Sequence, residues 1–197
     1  MLNDDDVVSL VQDPEVVRHA AADQVVSRRG AWAGSKDDIE GLLRRVVADI
    51  DRCRSVVVEK AEFDMYGSGY ASYADVFLSW RDGSGRVTKG KGVETRGFAI
   101  ALCRLAPVAA LFGDVMISKS ANGSAYRYMP TLELIADNPV PGWEKPCWEV
   151  TRVLGRHGIT VLDPAILQRP IDPAVTVETN LADPPFTVFD AWFHWMD

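Results

Sequence analysis

A chain of 197 residues, 47% hydrophobic and 25% charged, has the composition of a globular protein and excludes wholesale disorder. Its 21 Lys and Arg against 28 Asp and Glu leave a net charge of −7, which opposes binding to nucleic acid or to an anionic membrane, since both need a concentrated positive field. The three cysteines, Cys53, Cys103 and Cys147, are an odd number without metal-ligand spacing, so no disulfide framework, metal site or cofactor is expected and the thiols read as small buried hydrophobes.

In chain order, Asp13-Pro14-Glu15 places a capping side chain, then proline at the first helical position, and predicts a helix through Ala22. Ser35 and Asp38 form a capping-box pattern, and Ile39, Leu42, Leu43, Val46, Val47 and Ile50 recur behind it at helical spacing. From Ser55 the period changes to two. Strands are predicted over Val56–Phe63 and Tyr70–Arg81, then a hairpin turn at Asp82-Gly-Ser-Gly85 and a returning strand from Arg86 to Glu94. Gly97–Phe112 is read as two strands broken at Pro107, and Val115–Ser118 with Ser124–Met129 as a hairpin about Asn122-Gly123. Nine of the eleven prolines and four of the six tryptophans lie beyond residue 129, so long elements become rare there. A helix over Trp143–His157, a short strand at Ile159–Leu162, a helical turn after Asp163-Pro164 and an extended wrap complete the reading. The stretch Phe186–Trp195, rich in aromatic rings, should dock on the body. The expected fold is α+β in one domain over 1–197: N-terminal helices packed on a mainly antiparallel sheet, with a Pro/Trp-rich C-terminal wrap.

Several strings invite chemistry. Gly85 to Gly92 matches a phosphate-binding loop except that Gly92 stands where Ser or Thr would hold magnesium and a β-like Val93 follows, so a turn and a lysine-rich edge strand is the better reading. Arg44, Arg45, Arg52 and Arg54 are interleaved with Asp49 and Asp51 and read as a solvated helix face. Glu62 and Asp64 share a strand face, with Glu59 on the other face and Asp75 on the next strand, and Arg96 and Arg104 are candidate salt-bridge partners for them. Asp190 lies four residues before His194, a spacing that puts both on one side of either a helix or a strand. Tyr66 and Tyr70 flank a glycine loop of recognition-loop composition.

Gly67 to Phe77, Cys103 to Val108 and the ending Phe189 to Trp195 together resemble a family of uncharacterised bacterial cytoplasmic α+β proteins, and acidic proteins of this kind are similar to immunity proteins that neutralise toxins. Cysteine usage and an N-terminal stretch without a signal pattern predict a cytoplasmic protein, and the acidic, aromatic terminus predicts a non-catalytic one that meets a protein partner of basic character. No cation follows Arg169, while Asp172, Glu178, Asp183, Asp190 and Asp197 do, so a basic partner would be drawn to that end. The expected partner-binding residues are Tyr66, Tyr70, Asp190, Trp192 and His194, with no catalytic residue. Two alternatives are a hydrolase or transferase, in which at least two of Glu62, Asp64, Asp75 and His194 converge in a pocket, and a self-associating protein joined as a homodimer through its aromatic terminus.

Overall fold

A computed structural model describes residues 9–25, 30–63, 69–120, 125–126 and 128–196. Helix α1 (Pro14–Ala21) starts where Asp13 accepts the backbone N–H groups of Glu15 and Val16. Helix α2 (Lys36–Ile50) starts at the reciprocal capping box of Ser35 and Asp38, and buries Ile39, Leu43, Val46, Val47 and Ile50 along one face.

The central sheet is built from β1 (Val56–Glu62), β3 (Tyr73–Trp80), β5 (Gly92–Cys103), β6 (Val108–Lys119) and β7 (Ala125–Tyr126), side by side in that order and antiparallel. Strand β8 (Thr160–Val161) adds to β6 in parallel. Alternation along β3 and β5 sends Tyr73, Phe77, Ala99, Ala101 and Cys103 to one face and Ala74, Val76, Leu78, Phe98, Ile100 and Leu102 to the other. The second face packs on α2 and on α3 (Glu144–Arg156), where Trp143 stacks on Trp80 with ring centroids 4.8 Å apart. The first face is covered by α1 and by the C-terminal wrap, which contains α4 (Pro164–Leu167) and α5 (Val188–Trp192). The fold is therefore α+β with a mainly antiparallel sheet, and the two strands parted at Pro107 are present as read.

Two local readings are corrected. The stretch expected as one strand over 70–81 is broken at Ser72: β2 (Tyr70–Ala71) leaves the main sheet and pairs instead with β9 (Trp195–Met196). The hairpin expected at Asp82–Gly85 does not form, because β3 pairs with β5 and not with the strand that follows the turn. That strand, β4 (Arg86–Lys89), folds back at Gly90 and Lys91 onto the start of β5. All four of its residues are exposed, so it has no apolar face to offer β3, whereas the second half of β5 is wholly buried. The expected Asn122-Gly123 turn lies outside the described residues; β7 beyond it does pair with Ser118 and Lys119. No helix among the described residues is long and apolar enough to cross a membrane.

Candidate functional site

The aromatic terminus docks by inserting. Trp192 and Phe193 are fully buried, and Asp190 and His194 are at most 5% exposed. Phe189 stacks on Phe193 at 5.5 Å and meets Phe112 edge-on at 6.0 Å, while the Trp192 indole N–H donates to the Val11 carbonyl at 3.2 Å. The Asp190 carboxylate accepts the Thr187 backbone N–H at 2.7 Å and its hydroxyl at 2.8 Å, closing the N-terminus of α5. Asp190, Trp192 and His194 therefore present nothing to a partner, and their assignment as contact residues is corrected: their polar atoms and rings are used inside the chain. A homodimer through this terminus loses its surface for the same reason. The expected side-by-side placement of Asp190 and His194 fails too, because the chain leaves the helix at Phe193 (φ −129°, ψ 52°).

Of the carboxylates of the enzyme alternative, Glu62 and Asp75 stand directly opposite each other across β1 and β3, and neither lines the cleft described below. Glu62 pairs with Lys60 at 3.0 Å, and Asp75 accepts the Tyr128 hydroxyl at 2.5 Å. Asp64 and Tyr66 lie outside the described residues. Of the two arginines expected to meet them, Arg96 bonds Asp114 at 2.9 Å and Arg104 faces Glu40 at 3.6 Å.

Tyr70 lines a cleft of about 40 Å³, with apolar walls from Val25, Ile39 and Leu105 and a polar rim of Asp23, Lys36 and Arg104. Its centre is Asp23. The N–H groups of Asp23 and Gln24 reach the carbonyls of Ala20 and His19 at 2.9 and 3.0 Å, a double closure of α1 that forces residue 23 into the left-handed region, at φ 55°. Glycine is the usual occupant of that position. Here an aspartate occupies it, and its carboxylate Oδ2 lies 3.9 Å from the Lys36 ammonium, which in turn sits 5.4 Å from the Tyr70 ring centroid. Burial, and next the Asp23 carboxylate beside it, hold the Tyr70 phenol protonated well above the ordinary tyrosine range. Arg104 shares Glu40, at 3.6 Å, with Arg44, which lies at 2.7 Å, and donates to the Phe63 carbonyl.

Behind the cleft stands His194. Its Nδ1 is 3.2 Å from the Ala191 carbonyl, an acceptor only, so Nδ1 carries a hydrogen. Its Nε2 faces Asp23 Oδ1 at 3.7 Å, an ion-pair separation beyond hydrogen-bond length. Ser72 anchors this layer: its hydroxyl donates to the Trp192 carbonyl at 2.9 Å and accepts the His194 N–H at 2.9 Å. The Cys103 thiol is sealed below, pushed up to about 12 by burial, and is no nucleophile.

Of the residues singled out in the sequence for partner binding, Tyr70 is the one among the described residues that lines this cleft, and His194 supports it from inside. Asp23 and Lys36 were missed. The signal for Asp23 is an acid where a helix that ends without glycine must turn left-handed, a feature that becomes meaningful only once the helix end is located. A cleft of about 40 Å³ holds a few waters or the tip of a side chain, well below the roughly 300 Å³ from which metabolite pockets begin. Comparison with protein-family models, with curated proteins and with solved structures finds no match to this chain.

Proposed function

We propose that this is a non-catalytic interaction protein of the immunity-inhibitor kind, which seats a cationic side chain of a basic protein partner against Asp23 and Tyr70. One observation carries the reading: the Asp23 carboxylate and the Tyr70 ring already hold an ammonium, that of Lys36, on a side chain that is 79% exposed. A carboxylate beside an aromatic face is a cation site. Lys36 occupies it loosely, at 3.9 Å, so a partner's lysine or arginine can displace it. The net charge of −7 and the exposed Asp172, Glu178 and Asp183 supply the steering field for such a partner.

The test is affinity capture from the source cell with wild-type protein and three variants, read by quantitative mass spectrometry. The wild type captures a basic protein. Asp23→Asn and Asp23→Gly, the latter relieving the left-handed backbone, lower its recovery at least about tenfold, equivalent to about 1.4 kcal/mol, with melting temperature retained. Lys36→Ala, which removes the internal competitor, captures at least as much as wild type. Loss of capture in Lys36→Ala, or undiminished capture by both Asp23 variants, defeats the reading. Acid–base catalysis is the second reading, favoured by the 3.7 Å approach of His194 to Asp23; it expects hydrolase or transferase turnover that Asp23→Asn abolishes while capture persists.

A further inference from the structure

The outer face of α3 is unlike the rest of this acidic molecule. Trp148 is 59% exposed, the most exposed large hydrophobic side chain among the described residues, and the Arg152 guanidinium lies 4.7 Å from its ring centroid. Lys145 and Arg156, exposed on the same stripe at helical spacing, make no ion pair within 4.0 Å among the described residues. The acids on α3 are engaged with backbone: Glu144, exposed four residues before Trp148, accepts the Gly142 N–H at 2.9 Å, and Glu149 accepts the Ser55 N–H at 3.0 Å. An exposed tryptophan flanked by Lys145, Arg152 and Arg156 against the single acid Glu144 is the composition of a binding hot spot for an acidic surface.

Such a surface exists on the chain itself. In the C-terminal wrap Glu178 and Asp183 are exposed, and neither makes an ion pair among the described residues. The wrap covers the first face of the sheet and α3 packs on the second, so the two surfaces cannot meet within one molecule. We infer that the protein associates head to tail with a second copy, the Trp148–Arg152 face of one molecule seating against the Glu178–Asp183 wrap of the next. Complementary charge fixes the orientation, and the contact is heterologous, leaving one free face at each end of an assembly.

Two exposed-surface variants test this by sedimentation velocity over a range of concentrations at low and high salt. Wild type self-associates with rising concentration, and salt weakens the association. The double variants Trp148→Ala/Arg152→Ala and Glu178→Lys/Asp183→Lys are each monomeric. Mixed, they form a 1:1 dimer and nothing larger, because each contributes the face the other lacks. Asp23→Asn associates like wild type, which separates this contact from the cleft. A wild type that stays monomeric at millimolar concentration overturns the inference, as does association that survives in either variant or a mixture that fails to dimerise. Tight binding of the Trp148 face to anionic vesicles or to RNA, with no self-association, would reassign it to a different partner and likewise overturn it.

Discussion

Asp190 shows how one carboxylate is spent. An acid near an aromatic terminus looks like a steering charge, yet the side chain turns back to Thr187 and leaves only 5% of the residue exposed. Its removal strands the Thr187 N–H, so Asp190→Ala should destabilise the protein by about 1–3 kcal/mol, the cost of an unsatisfied buried donor. Urea denaturation checks this, and a shift below about 0.5 kcal/mol would show that the capping box does not hold α5, since losing a cap typically costs about 1 kcal/mol. Trp192 was read correctly as docked but wrongly as a contact residue. Nothing local distinguishes an indole that lies against the body from one driven into it; the difference is the Val11 carbonyl, 181 positions away. A comparably long stretch of chain hides Asp23 from His194, although each is plain in the sequence.

At the scale of elements, what is locally encoded was legible. The Asp13 and Ser35 caps, the break at Pro107 and the helical turn after Asp163 each depend on a few adjacent residues, and each is found where the sequence places it. Strand partners are not local. The polar Arg86–Lys89 segment pairs with the entry of β5, while β3 takes the apolar remainder, an exchange decided by which segment has a face to bury. Gly97 marks the seam. The β5–β6 register shifts between Gly97 and Ala99, and a methyl group on residue 97 would stand 1.9 Å from the Leu78 carbonyl oxygen. Since that neighbour is backbone in the middle of β3, relief requires moving a strand. Gly97→Ala is therefore expected to lower stability by about 1–3 kcal/mol or more, read as a fall in the thermal midpoint; an unchanged midpoint would mean that the strands part there without strain.

For the whole molecule, charge and burial act together. The Ser35 backbone N–H lowers the Asp38 carboxyl, the Arg44 guanidinium lowers Glu40 and His157 lowers Asp49, each below its ordinary value. A carboxyl whose folded pKa lies below its unfolded one favours folding fully above the unfolded value, about 4, and loses that contribution as pH falls through the folded value. The thermal midpoint should accordingly hold between about pH 7 and 5 and drop below about pH 4, as calorimetry across that range would register. The sequence by itself determined the balance of charge, the caps, the two periodicities and hence an α+β chain with a docked terminus, because each of these rests on neighbours a few residues apart. Only the tertiary structure decided which acids and rings face solvent: burial is a property of segments brought together from residues 11, 23, 72, 104 and 194, and no local pattern contains the free energy of that meeting.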